Sequence, residues 1–214
     1  MRFPPLLRGL VVMILLATTV GAAERLTFTF DDDAPGTVPH DFIFTALRQA
    51  NAGTWEVRRL GARHYLAHAA DPSAYGFALA VVPAPVPNDV DLTTGIRFVG
   101  GTRAGGLIWR YRDNANFYSA GVDVNRRQVW VSRVMSGNKV RLDVTDDLDI
   151  DPTMSHTLRV VHRGDQFTVQ VDGIAVVHGK DRTFDGGHAG VWSEGAAEMA
   201  FTDIKIDDAS EARR

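Results

Sequence analysis

The chain has 214 residues, a formal net charge of −3 and no cysteine. That length suits one sizeable β domain, and the slight acidity argues against a general nucleic-acid binder, which needs a strong positive field. The missing cysteines exclude disulfides, thiolate metal sites, cysteine nucleophiles and a lipid-anchoring cysteine.

Residues Met1–Ala23 read as a secretory signal peptide. Arg2 and Arg8 supply a basic start, Leu10–Leu16 an apolar run, and Gly21-Ala22-Ala23 small residues for cleavage. The apolar run is shorter than the roughly 20 residues of a spanning helix. The expectation is a secreted or periplasmic protein with no membrane association after cleavage. Residues 24–208 then form a single domain, followed by a disordered tail at 209–214.

The mature chain reads as short strands punctuated by turns. Leu26–Asp31 alternates, and Asp31-Asp32-Asp33-Ala34-Pro35-Gly36 turns. Phe42–Ala46 is short and ambiguous, Trp55–Arg59 starts a strand, and His64–Leu66 offers another. Gly76–Val82 is a continuous apolar run, as in a strand buried on both faces or a short helix. Asp89–Val99 alternates and leads into a central meander of three strands, Gly106–Arg112, Phe117–Asp123 and Gln128–Val134. The breaks at Asp113–Asn116 and Asn125–Arg127 carry residues whose side chains bond the local backbone. Short loops between consecutive strands imply antiparallel neighbours.

After the meander, Asp143–Met154 reads as an acidic turn region. Thr157–His162 and Gln166–Val171 are strands, and Asp172-Gly173 is a hairpin signal leading to Ile174–His178. His188–Ser193 and Met199–Ile206 close the domain. Short strands with turns roughly every ten residues predict an all-β, two-sheet antiparallel sandwich. Trp109, Trp130 and Trp192 sit in alternating strands and are expected to be buried.

Motifs in this order carry a resemblance. They are Phe30-Asp31-Asp32, Gly36-Thr37-Val38-Pro39, Trp55-Glu56-Val57, Gly106–Asp113 with Asn116-Phe117-Tyr118, His156–Val160, Arg163-Gly164-Asp165, Val171-Asp172-Gly173, Gly190-Val191-Trp192 and Phe201–Ile204. The chain resembles secreted bacterial concanavalin A-like, laminin G-like jelly-roll domains, related to the 3-keto-disaccharide hydrolase (family-16-like) domain. The resemblance implies a jelly-roll sandwich of the lectin and glucanase type. It carries no catalytic motif onto these positions.

The residues themselves show no catalytic set. Jelly-roll glycosidases place paired carboxylates on one strand, and no Glu-x-Asp-x-x-Glu pattern occurs here. The seven histidines lack metal-ligand spacing. Asp31, Asp32 and Asp33, with Asp203 if the first and last strands pair, could supply oxygen ligands, Asp31 and Asp203 being the pair expected, so Ca²⁺ is the one cofactor considered. For a sugar ligand, rings stack on apolar sugar faces and polar groups bond hydroxyls. Strict alternation puts Arg110, Tyr118 and Arg133 on one face of the meander, and these are the expected ligand-binding residues.

Three functional readings stay open. The first is a secreted, non-catalytic, carbohydrate-recognising jelly-roll domain. The second is a glycoside-acting hydrolase or lyase, as the resemblance implies. The third is a structural periplasmic domain with a protein partner.

Overall fold

A computed structural model describes residues 25–47, 53–69, 76–101 and 104–210. The expected signal peptide lies outside these residues. Among the described residues fifteen strands, numbered along the chain, form two antiparallel sheets. The eight-stranded sheet runs in spatial order β13 (Ile174–Lys180), β12 (Gln166–Val171), β11 (Ser155–Arg163), β6 (Val90–Gly101), β15 (Ala197–Asp208), β4 (Arg63–Ala69) and β3 (Thr54–Leu60). Its remaining strand, β1 (Leu26–Phe28), pairs with β15. The seven-stranded sheet runs β10 (Asn138–Thr145), β9 (Gln128–Met135), β8 (Asn116–Asp123), β7 (Ala104–Asp113), β14 (His188–Glu194), β5 (Phe77–Val81) and β2 (Ile43–Ala46).

The turns form where the local chemistry directs them. Asp113 Oδ1 accepts the Ala115 N–H at 2.7 Å and turns β7 into β8. Asp123 Oδ1 accepts the N–H groups of Asn125 and Arg126 at 3.0 and 2.9 Å and turns β8 into β9. Asp172 and Gly173 both have positive φ, 50° and 82°, as a two-residue hairpin turn between β12 and β13 requires.

The core between the sheets holds Trp55, Leu66, Leu92, Ile96, Leu107, Trp109, Tyr118, Val131, Phe167 and Phe201, among others. A second cluster contains Phe77, Leu79, Val81, Ile108, Phe117, Trp130, Val134 and Trp192. It lies on the opposite, outer face of the seven-stranded sheet, because Ile108 and Leu107 are strand neighbours with opposed side chains. β5 is accordingly buried at every residue, which settles Gly76–Val82 as a strand rather than a helix.

Two expectations need correction. The stretch read as an acidic turn begins inside β10, and the Lys139–Val144 alternation of polar and apolar residues was its signal. Ala209, expected in a disordered tail, is buried: its N–H donates to Asp89 O at 2.9 Å and its carbonyl accepts from Arg163 Nε at 2.7 Å.

Candidate functional site

Arg110, Tyr118 and Arg133 do come together, but on the inner side of the sheet. Trp109 pairs with Tyr118, and Tyr118 with Arg133, so these three share the core face. Alternation within β7 would send Arg110 to the face opposite its neighbour Trp109. Instead β7 bulges there: its register against β8 shifts between Trp109 and Asp113, and Arg110 has φ 46°. A bulge with a left-handed residue re-aims the side chain, and Arg110 turns inward.

Once inside, Arg110 makes four hydrogen bonds to backbone carbonyls. Its Nη2 donates to Asn88 O at 2.9 Å and Gly164 O at 3.0 Å, its Nη1 to Phe184 O at 2.7 Å, and its Nε to Asn88 O at 3.2 Å. It thus ties together three loops that are distant in sequence. Burial draws the guanidinium below its ordinary pKa. Tyr118 donates to Asp181 Oδ1 and accepts the Phe184 N–H at 3.2 Å. Arg133 Nη1 donates to Asp181 Oδ2 at 2.6 Å and to Thr183 Oγ1 at 2.7 Å. Burial pushes Asp181 up, but hydrogen bonds from Tyr118 and Thr183 and the charge of Arg133 hold it below the usual carboxylate range.

His162 lies beneath this group. The Trp109 indole can only donate, so its bond to Nδ1 at 2.9 Å makes Nδ1 the acceptor and places the ring proton on Nε2. That Nε2–H donates to Asp181 O at 3.2 Å. Burial and the neighbouring Arg110 draw His162 down to about 4, so it is neutral at pH 7. The expected sugar site is therefore a buried clasp holding the loop that follows β13. Tyr118 is 0% and Arg110 2% exposed, so little of either side chain faces solvent.

An open cleft of about 540 Å³ is also lined by Arg110, together with Asn88, Asp89, Arg182, Phe184 and Asp185, among others. Two of its carboxylates are engaged: Asp89 Oδ1 accepts the Gly164 N–H at 2.7 Å, and Asp185 pairs with Arg112 at 2.6 Å.

The first and last strands do pair, which brings Asp31 and Asp203 to the same edge. Both Asp203 oxygens accept from Arg63 Nη2 at 2.6 Å, and Asp31 Oδ1 accepts the His64 N–H at 3.3 Å. Among the described residues no group of three or more His, Asp or Glu side chains could hold a metal ion. The Asp31 and Asp203 carboxylates are thus both engaged by protein donors.

The outer face of the seven-stranded sheet presents a different chemistry. Phe77 stacks on Trp192 with centroids 4.0 Å apart, and Trp192 meets Trp130 at 6.1 Å. β14 and β9 are separated by β7 and β8, so the two indoles must lie across those strands. Glycines permit this: Gly106 is opposite Trp192, and Gly121 opposite both Gly106 and Trp130. A Cβ on Gly121 would stand 2.4 Å from Trp130 and 2.7 Å from Trp192.

Two cations of edge strand β10 close over these rings. Lys139 Nζ is 4.6 Å from the Phe77 centroid and 5.9 Å from that of Trp130, and the Arg141 guanidinium is 5.0 Å from Trp130. In a flat sheet at about 4.8 Å per strand, β10 and β5 would stand about 24 Å apart. Lys139 can reach Phe77 only because the sheet curls into a trough. Ser119 and Ser132 are cross-strand partners in its floor, on the face of Ile108 and Trp130. Their hydroxyls and Trp130 Nε1 are buried without a hydrogen-bond partner. Alternation within β9 puts Trp130 and Ser132 on the face opposite Arg133. What the sequence reading missed was the pattern Trp130-x-Ser132 beside Ser119-x-Gly121.

Neither a protein family nor a curated protein sequence matches the chain. Solved structures do match in three dimensions. The carbohydrate binding module CBM66 from Bacillus subtilis aligns with TM-score 0.62 and 23% identity, over 76% of this chain and 94% of that one. The cellulose induced protein Cip1 aligns with TM-score 0.62 and 13% identity, over 86% and 97%. Domain 4 of AbnA, an extracellular arabinanase from Geobacillus stearothermophilus solved with arabinotriose, aligns with TM-score 0.56 and 12% identity, over 87% and 93%. At these identities the likeness establishes the fold, a two-sheet antiparallel jelly-roll sandwich.

Proposed function

We propose that this protein is a secreted, non-catalytic domain that binds carbohydrate in the trough of its seven-stranded sheet. The observation that carries the proposal is the company of three buried, unpartnered polar atoms with two indoles and a phenyl ring on one concave face. A buried hydroxyl without a partner costs about 1–3 kcal/mol, so its persistence calls for an explanation. A sugar supplies one, since its hydroxyls bond serine and indole N–H groups while its C–H face stacks on rings. The trough floor is itself covered, Trp130 at 4% and Ser119 and Ser132 at 0% exposure, so a sugar reaches it when the long, exposed side chains of Lys139 and Arg141 swing aside. Carbohydrate-binding neighbours of the same fold support the reading.

An ordinary retaining or inverting glycosidase needs an acid and a base carboxylate around one ligand. Glu56 and Glu198 are instead both engaged with Arg58, at 2.8 and 2.6 Å. That arrangement favours binding over hydrolysis.

A glycan array probed with the full chain tests the proposal. At least one glycan should bind, and Trp130→Ala and Ser132→Ala should each weaken it, whereas Arg182→Ala in the open cleft should not. No binding on the array removes the carbohydrate reading. Undiminished binding by folded Trp130→Ala and Ser132→Ala proteins moves the site out of the trough.

A further inference from the structure

We infer that the trough selects acidic glycans, those bearing carboxylate or sulfate groups, and that Lys139 and Arg141 are the residues that read the anion. The inference rests on the trough being the sugar-binding surface.

Lys139 and Arg141 are two residues apart on β10, so they project from the same side of the strand. Both lie over the Trp130 ring, at 5.9 and 5.0 Å. Two like charges are thus held at one indole face. Many other guanidinium groups, those of Arg25, Arg58, Arg63, Arg112, Arg133 and Arg159 among them, have a carboxylate within ion-pair distance, while Arg59 and Arg163 bond backbone carbonyls instead. Among the described residues, neither Lys139 nor Arg141 has one.

The surrounding charges do not remove this excess. Arg126 adds a third cation near Lys139, and Glu194 is the acid that acts on it. Asp123, at the end of β8, is occupied by two backbone N–H groups and by Arg126. Although the residue is exposed, desolvation of its ammonium over the rings and the Arg141 charge draw Lys139 below its ordinary pKa. An anion seated between the two cations relieves their repulsion. A sugar ring carrying that anion is then positioned to stack on Trp130. The guanidinium fork matches a carboxylate or sulfate with two parallel bonds, and the ammonium adds a point charge.

The test is affinity electrophoresis and calorimetry of the full chain. The probes are polygalacturonate, its carboxyl-reduced neutral form, dextran sulfate and dextran. At least one acidic polymer should bind about tenfold or more tightly than its neutral counterpart, a difference of about 1.4 kcal/mol. Polygalacturonate against dextran sulfate separates carboxylate from sulfate as the recognised group. Lys139→Ala and Arg141→Ala should each lower acidic affinity by about tenfold, and added salt should weaken the wild type more than either variant. Trp130→Ala should weaken it too.

Equal binding of acidic and neutral polymers overturns the inference and leaves the carbohydrate reading standing. So does acidic binding that ignores both cation variants. Acidic binding that depends on the cations but survives Trp130→Ala intact is mere charge adhesion, and it overturns the inference as well. Failure of every polymer here and of every glycan on the array removes both readings.

Discussion

The Trp109 indole N–H donates to His162 Nδ1 at 2.9 Å, and in doing so joins the two sheets through the core. Trp109 comes from β7 and His162 from β11. The bond fixes the neutral imidazole in one tautomer, so the pair works only while His162 is uncharged. Protonation would put a second proton against the indole donor and a charge beside Arg110.

That constraint makes stability depend on pH. The folded pKa of His162, about 4, lies below its ordinary value of 6.5. Between the two values the unfolded chain binds the extra proton and the folded chain does not. The contribution is present in full above about pH 7 and is lost as pH falls through 6.5 toward 4, reaching about 3 kcal/mol. Urea unfolding of the wild type should follow this fall. In His162→Gln the protein should be less stable at pH 7, and the part of the slope between pH 6.5 and 4 that His162 causes should vanish. An unchanged slope would show that the histidine titrates normally.

Arg110→Ala should be strongly destabilising. It leaves the carbonyls of Asn88, Gly164 and Phe184 without the donor that ties them together. Hydrogen bonds to charged groups contribute about 1.5–3 kcal/mol each, and a loss of roughly 3 kcal/mol or more is expected. Arg110→Gly relieves the positive φ but not the lost donors, so it should rescue only a small part. Chemical denaturation of the three proteins measures both effects.

Tyr118→Phe separates the clasp from the trough. It removes the bond to Asp181 and leaves the buried Phe184 N–H without its acceptor. Stability should fall by about 1–2 kcal/mol. Binding to any glycan found on the array should not change. A selective loss of binding in a folded Tyr118→Phe protein would return the ligand to the face expected from strict alternation.

Gly121→Ala tests the floor of the trough. The new methyl would meet two indole rings well inside contact distance. Both rings are rigid and buried, so neither can yield cheaply. Overpacking of this kind costs about 1–3 kcal/mol. Tryptophan fluorescence should shift as Trp130 and Trp192 are displaced, and glycan affinity should fall with it.

The division between sequence and tertiary structure follows the range of the forces involved. Turn formation at Asp113, Asp123 and Asp172-Gly173 depends on a side chain bonding its own neighbours, and period-2 alternation depends on the strand alone. Both are local, so the sequence determined the all-β class, the central meander and most strand positions. The same alternation failed at Arg110, because the bulge there is set by remote partners. Gly187, on the approach to β14, comes so close that a Cβ would lie 2.3 Å from Tyr111 O, and the guanidinium is claimed by loops at residues 88, 164 and 184. None of those contacts is visible within the strand. The trough was likewise decided by tertiary structure. Trp130 and Trp192 are 62 residues apart and meet only because β8 and β7 place Gly121 and Gly106 between them, and because the sheet curls enough to bring Lys139 over Phe77.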